Sequence, residues 1–184
     1  MKPKVLIGIT GGIAAYKTAD IASQLIKANV DVRVIMTEAA TRFVAPLTFA
    51  ALTRQKVLTT TFPVNNTGEM DVIYPHLYPA TEADAFVVAP ATANAIAKLA
   101  HGFGDDIVCC SALSLKPDCK RIYCPAMNEQ MWGQPIVREN AEKLLKMGWH
   151  QMGPEKGQLA CGTSGYGRMS ACSAIVQIIL SSVF

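Results

Sequence analysis

The chain has 184 residues, of which 51% are hydrophobic and 17% charged, and its formal net charge is +3. The high hydrophobic and low charged fractions exclude an intrinsically disordered chain. The length suffices for one compact domain with a substantial core. Lysine and arginine are scattered rather than gathered in a stripe with aromatic residues, so a nucleic-acid partner is not expected.

The six cysteines and three histidines show no metal-ligand spacing, and no C-x-x-C pair occurs. No metal site is therefore predicted. Free thiols and the lack of a signal peptide favour a cytoplasmic location. The longest apolar run, near residues 175–180, is too short to span a bilayer, so no membrane partner is expected. Neither repeats nor linkers divide the sequence, which predicts a single domain over residues 1–184.

Short apolar strands alternate with helical patterns along the chain. Apolar runs at residues 5–9, 32–36 and 85–89, and a run that ends at Cys124, predict strands. Helical spacing is found at residues 14–28, 39–44, 47–52, 93–100, 106–115 and 137–147. Strands that are apolar throughout favour a parallel sheet covered on both faces. The predicted fold is α/β, a three-layer, doubly wound sandwich with a Rossmann-like sheet.

Ligands in such sheets bind beyond the carboxyl ends of the strands, so the residues that follow each strand form the candidate site. These residues are 10–13, 37–41, 90–94 and 125–131. Two further segments, residues 65–81 and 153–169, have no regular period and are predicted to be long, functional loops. The second contains five glycines and is interpreted as a mobile lid over the substrate.

The first strand is followed by two glycines, Gly11 and Gly12, in the stretch GITGGIAAYK. Glycines at a strand-to-helix turn let backbone N–H groups approach an anion. The stretch is not a P-loop, G-x-x-x-x-G-K-S/T, because position 16 is tyrosine instead of glycine. It is not the dinucleotide fingerprint, G-x-G-x-x-G, because position 10 is threonine instead of glycine. We interpret it as a phosphate cradle of another kind, with a simple tight turn as the alternative.

Hydroxyl and amide side chains follow the second and third strands. Thr37 and Thr41 lie one helical turn apart on the same face. They either cap the helix or contact a phosphate or a ring edge. Thr92 and Asn94 stand among alanines where the next helix begins, which suits either a flat ring or a helix cap with tight packing.

The stretch PAMNEQMW, residues 125–132, follows the fourth strand and places Asn128 between two methionines. An amide both donates and accepts hydrogen bonds, and methionine adapts to irregular shapes. The stretch therefore predicts a pocket for a small, partly apolar substrate, with core packing as the alternative.

Two candidate groups for proton transfer lie in the irregular segments. His76 is a candidate general base because histidine exchanges protons readily near neutral pH. The alternative is a solvated loop histidine. Cys161 lies in a glycine-rich stretch, where a thiol can protonate a reactive intermediate. The alternative is a cysteine without a role in the chemistry.

Four stretches taken together resemble the flavin-dependent cysteine decarboxylases. They are GITGGIAAYK at 8–17, APATANAIAKLAHGFGDD at 89–106, PAMNEQMW at 125–132 and ACGTSGYGRM at 160–169. The third and fourth stretches are specific to one branch of this family. The first is shared more widely, including with flavin prenyltransferases and lantibiotic peptidyl-cysteine decarboxylases.

The resemblance implies a carboxy-lyase of coenzyme A biosynthesis that converts 4′-phosphopantothenoylcysteine to 4′-phosphopantetheine. It implies FMN near the interface of a homotrimer, or of a multiple of trimers, and a separate ligase activity that supplies the substrate. It also implies catalytic roles for His76 and Cys161 and substrate binding by Asn128 and Met131. The residues expected at the cofactor are Gly11, Gly12, Ile13, Thr37, Thr41, Ala91, Thr92, Ala93 and Asn94.

Three alternatives to this function are open to the sequence. The first is a related enzyme on the same fold, either a peptidyl-cysteine decarboxylase or a flavin prenyltransferase, and the stretch PAMNEQMW counts against the latter. The second is a non-catalytic regulatory subunit, which His76, Asn128 and Cys161 disfavour. The third is a nicotinamide-dependent reductase, which the failed dinucleotide fingerprint disfavours.

Overall fold

A parallel sheet of five strands lies at the centre of the computed structural model, which describes residues 2–62, 74–158, 162 and 164–184. The strands are ordered β2-β1-β3-β4-β5. Their bounds are Lys4–Ile9 for β1, Asp31–Met36 for β2, Ala85–Ala91 for β3, Lys120–Pro125 for β4 and His150–Gln151 for β5. All four pairings are parallel, so every connection between neighbouring strands crosses over the sheet.

Helices cover both faces of this sheet. They are α1 (Lys17–Lys27), α2 (Glu38–Thr41), α3 (Pro46–Thr53), α4 (Ala93–His101), α5 (Ile107–Leu113), α6 (Glu129–Gly133), α7 (Pro135–Lys146) and α8 (Cys172–Val183). Helices α1, α3 and α8 contribute to the core on one face, and α4, α5 and α7 to the core on the other. None of the helices in the described part of the chain has the length and apolar character to cross a bilayer.

The central strand β3 shows that the sheet is buried on both faces. All seven of its residues are buried. Because side chains alternate along a strand, Val87 and Ala89 join one core, and Phe86 and Val88 join the other. The predicted three-layer α/β fold is therefore confirmed.

The segment 153–169 differs from its prediction. Instead of a long loop, it contains an antiparallel ribbon of β6, Glu155–Gln158, and β7, Ser164–Arg168. Glycine has low strand propensity, and two of the five β7 residues are glycine, so local sequence does not reveal the strand. β7 also makes hydrogen bonds with the segment that follows β4.

Candidate functional site

A cleft of about 550 Å³ opens beyond the carboxyl ends of β1, β3 and β4. This is where ligands bind in doubly wound sheets, and the volume lies in the usual range for small-molecule sites. The ribbon β6–β7 supplies a further wall. The predicted site residues that line the cleft are Gly11, Gly12, Ile13, Thr92, Ala93, Asn128 and Met131.

Buried threonine hydroxyls hold the floor of the cleft. The Thr10 hydroxyl donates to the Pro90 carbonyl at 2.7 Å and accepts from the Thr92 N–H at 3.2 Å. The Thr18 hydroxyl donates to the Ala89 carbonyl, also at 2.7 Å. Thr10 therefore joins the ends of β1 and β3, which places the two post-strand segments side by side.

The two adjacent glycines differ in what a side chain would meet. A Cβ on Gly11 would stand 2.5 Å from the Ala39 Cβ, so packing of the protein itself requires glycine there. Among the residues that the structure describes, a Cβ on Gly12 would meet only the Thr92 and Pro90 side chains, at 3.6 and 3.9 Å, which are ordinary contacts. Gly12 also has extended backbone, with φ of −155°, that any residue adopts. Packing against the described residues therefore does not explain glycine at position 12, and Gly12 lines the cleft.

Four of the predicted cofactor residues do not line the cleft in the described part of the chain. The Thr37 hydroxyl caps α2 by accepting a backbone N–H at 3.2 Å. The Thr41 hydroxyl donates to a carbonyl three residues earlier at 2.7 Å. Ala91 is fully buried at the end of β3, and Asn94 is exposed on α4. A cofactor contact of these four residues stays a prediction.

Helix α6 divides its residues between the cleft and the core. Asn128 is its N-cap, and the Oδ1 atom accepts the Gln130 N–H at 2.8 Å. Met131 lines the cleft and is 47% exposed, whereas Trp132 is buried. The Arg138 guanidinium covers the Trp132 ring, 4.8 Å from its centroid. This packing holds the single turn that presents Asn128 and Met131 to the cleft.

Ion pairing and burial set the charges around the ribbon. Arg168 lines the cleft and pairs with Glu155 at 3.1 Å. Burial alone would raise the pKa of Glu155, but hydrogen bonds from Arg168 and Ser170 outweigh it and hold that pKa below its usual value. Glu155 is therefore ionised at neutral pH, and the pair keeps Arg168 directed along the ribbon.

Of the two predicted catalytic residues, the described part of the chain includes His76, which does not line this cleft. His76 lies in a turn outside its described wall, with its ring edge-on to Tyr74 at 6.4 Å between centroids. Its Nδ1 atom is buried and has no hydrogen-bond partner in the part of the chain that the structure describes. Cys161 lies outside the described residues.

Sequence reasoning missed several residues of the cleft wall. Tyr16, Lys17, Gln158 and Arg168 all line it. Among the described residues of the wall, the charged ones are Lys17 and Arg168, and both are cationic. Because Arg168 is paired with Glu155, Lys17 supplies the net positive charge of this described wall, and that charge favours an anionic ligand. Lys17 could have been predicted as a site residue, because it follows the glycine turn by about one helical turn. Arg168 could have been predicted because it belongs to the motif ACGTSGYGRM.

Comparison with known proteins identifies the family. The model of the family named Flavoprotein matches residues 1–184. A probable phosphopantothenoylcysteine decarboxylase of Streptococcus mutans is 40% identical over 179 residues, which are 97% of this chain and 98% of that protein. The coenzyme A biosynthesis bifunctional protein CoaBC of Bacillus subtilis is 42% identical over 174 residues. These are 95% of this chain but only 41% of that protein, so the chain spans about two fifths of its length.

Solved structures agree with this result. A PPC decarboxylase mutant complexed with pantothenoylaminoethenethiol superposes with a TM-score of 0.85 at 27% identity and covers 98% of both chains. The FMN-dependent cysteine decarboxylase SpaF superposes with a TM-score of 0.81 at 26% identity, covering 99% of this chain and 98% of that one. The resemblance inferred from the four motifs is thus confirmed. The chain belongs to the flavoprotein family and, within it, to the group of the phosphopantothenoylcysteine decarboxylases.

Proposed function

We propose that the protein is an FMN-dependent carboxy-lyase that converts 4′-phosphopantothenoylcysteine to 4′-phosphopantetheine in coenzyme A biosynthesis. One observation carries the proposal: Asn128, Met131 and Gly12 line a single cleft at the carboxyl ends of the strands. The 40% identity with a probable phosphopantothenoylcysteine decarboxylase, over nearly the whole of both chains, supports the same reaction.

The cleft fits a flavin mononucleotide. Small residues such as Gly12, Ala93 and Ala126 leave room for a flat ring, and Ile13 and Met127 offer apolar contacts. Packing against the described residues leaves the space at Gly12 open. The cationic wall suits the phosphate. FMN held in this cleft would supply reversible two-electron redox chemistry at the thiol-bearing end of the substrate.

The chain's own residues would bind and orient the cysteinyl end of the substrate. The Asn128 side chain, held at the start of α6, would offer its amide group to the carboxylate or amide of the substrate. Met127 and Met131 would pack against the thiol-bearing carbon, where an adaptable side chain suits a substrate that changes shape. The apolar wall would keep water from the reactive thioaldehyde.

Two proton transfers remain for His76 and Cys161. Oxidation of the thiol-bearing carbon to a thioaldehyde releases a proton, which His76 would accept. The thioaldehyde then takes up the electron pair of the bond to the carboxylate, CO₂ leaves, and an enethiolate remains. Cys161, on the proposed lid formed by residues 153–169, would return a proton to this enethiolate. The proposed base, His76, and the proposed acid, Cys161, thus belong to different segments of the chain.

A second copy of the chain would complete the site. His76 lies outside the described wall of the cleft, so it would act in the cleft of a neighbouring subunit. Helix α3 supports such an assembly, because its mostly apolar surface leaves Leu47 76% exposed, and Phe43, just before α3, is 51% exposed. We infer a homotrimer, or a multiple of trimers, with FMN near the interface. A ligase activity would supply the substrate in the cytoplasm.

The function is tested by product analysis. The purified protein is expected to carry a yellow flavin that acid releases as FMN rather than FAD. With 4′-phosphopantothenoylcysteine it is expected to release CO₂ and form 4′-phosphopantetheine, identified by mass spectrometry. A peptide with a carboxyl-terminal cysteine serves as the control substrate and should react far more slowly. A colourless protein that stays inert after addition of FMN contradicts the proposal, and preferred turnover of the peptide assigns the related peptidyl activity instead.

Replacement of Cys161 by serine is expected to separate the two halves of the reaction. CO₂ should still leave, but protonation and reduction of the enethiol should stall because a serine hydroxyl is a much weaker acid than a thiol. Mass spectrometry should detect an enethiol that is 2 Da lighter than the product, and CO₂ should not exceed the amount of enzyme. Normal product at the normal rate would show that Cys161 is not the proton donor.

A further inference from the structure

We propose that Glu129 is a positioning residue that anchors β7 as a wall of the cleft, an inference that rests on the function proposed above. Glu129 is an exposed residue of the first turn of α6, next to Asn128. Its Oε1 atom accepts the backbone N–H of Tyr166, 37 residues further along the chain, at 3.1 Å. A carboxylate that accepts a backbone N–H forms a charge-assisted hydrogen bond, which is stronger than a bond between neutral groups.

The glycines of β7 leave room for this contact. A Cβ on Gly165 would overlap the carboxyl group of Glu129, and a Cβ on Gly167 would overlap the carbonyl oxygen of Met127. Neither glycine has a positive φ, so space rather than backbone conformation requires glycine at both positions. β7 therefore packs closely against the start of α6, and the Glu129 carboxyl group fills the space beside Gly165.

The contact bears on substrate binding because β7 and Asn128 share the cleft. The backbone N–H of Met127 donates to the Gly167 carbonyl at 3.0 Å, beside the Glu129 bond to Tyr166. β7 then continues into Arg168, which lines the cleft together with Asn128. A two-stranded ribbon has little stability of its own. Its place in the cleft wall therefore depends on such contacts, and the Glu129 side chain provides one of them.

Glu129→Ala is expected to weaken substrate binding without disabling the chemistry. KM for 4′-phosphopantothenoylcysteine should rise about three- to tenfold, with kcat within about twofold, because the ribbon shifts while the reacting groups remain. The Tyr166 amide should exchange with deuterium faster. Glu129→Gln keeps an oxygen acceptor and should lie between this variant and the wild type. Gln130→Ala, at the exposed neighbouring side chain, is the matched control and should match the wild type.

Gly165→Ala tests the same contact from the other side. The added Cβ takes the space of the Glu129 carboxyl group, so KM should rise as it does in Glu129→Ala. In the Glu129→Ala background that space is empty, so the glycine substitution should have no further effect. This non-additivity is the signature of two groups that share one contact.

Three outcomes overturn the anchoring role. One is wild-type KM together with wild-type exchange at Tyr166 in Glu129→Ala. A second is an equal loss of kcat, flavin content and Tm in both Glu129 variants, which would mark Glu129 as a structural residue only. The third is full additivity of the Glu129 and Gly165 substitutions. If the unaltered protein does not react with 4′-phosphopantothenoylcysteine, the proposed function fails, and exchange at Tyr166 alone then decides whether Glu129 anchors β7.

Discussion

Gly12→Val is expected to abolish flavin retention while the fold persists. The valine side chain enters the cleft, where, within the described part of the chain, a Cβ meets only the Thr92 and Pro90 side chains at ordinary distances, and the extended backbone at this position accepts any residue. Flavin per chain, from the visible spectrum of purified protein, should fall by at least about tenfold, which corresponds to about 1.4 kcal/mol of binding free energy. The melting temperature without flavin should stay close to that of the flavin-free wild type.

Gly11→Ala is the matched control, one residue away. Its Cβ would stand 2.5 Å from the Ala39 Cβ and 3.0 Å from the Ala39 carbonyl carbon, so the cost falls on protein packing. Overpacking of this kind costs about 1–3 kcal/mol, or roughly 2–12 °C in Tm for a chain of this size. Both variants are compared without flavin, because bound ligand itself raises Tm. Equal stability of Gly11→Ala and the wild type, or full flavin in Gly12→Val, would contradict this division between the two glycines.

Subunits that lack His76 and subunits that lack Asn128 are expected to restore each other's activity. Each single variant, His76→Ala and Asn128→Ala, should lose at least about a hundredfold in kcat/KM, since proton transfer and carboxylate binding each contribute on this scale. If each site combines His76 of one subunit with Asn128 of another, random co-assembly restores both groups in about a quarter of the sites. Co-expression from equal gene doses should therefore recover about a quarter of the wild-type activity.

The same experiment separates a shared site from one contained in a single chain. With His76 and Asn128 in one subunit, no mixed assembly contains an intact site, and activity stays at the level of the single variants. Mixing the two variants only after purification is the control, because subunits that do not exchange give no recovery. Flavin content is measured in parallel. A loss of flavin in either variant would assign that residue to cofactor binding instead of catalysis.

Much of the fold could be predicted from local pattern. The continuous apolar runs in β1, β3 and β4 reveal a sheet covered on both faces, because only such burial tolerates strands without alternation. The position of the cleft follows from that sheet, since ligands bind beyond its carboxyl ends. Asn128 and Met131 follow β4, so the sequence predicts them at the site, and both line the cleft.

Some local assignments could not be made in this way. β7 alternates glycine with other residues, and it is held by pairing with β6 and by contacts with the start of α6, where Glu129 is 37 residues from Tyr166. Thr37 satisfies the rules for a helix cap as well as those for a ligand group, and the structure places it at a cap. The contact of Glu129 with β7 could not be predicted from the sequence, because acidic residues are common in the first turn of a helix.

The amino-acid sequence by itself determined the α/β class, the family and the segments that meet at the cleft, because these depend on periodicity and on motifs contained in short stretches. Only the tertiary structure decided that Gly11 serves packing while Gly12 opens the cleft, and that His76 stands outside the described wall. It also decided that Glu129 holds the ribbon. The physical reason is that each of these depends on distances between residues remote in sequence, which no local pattern encodes.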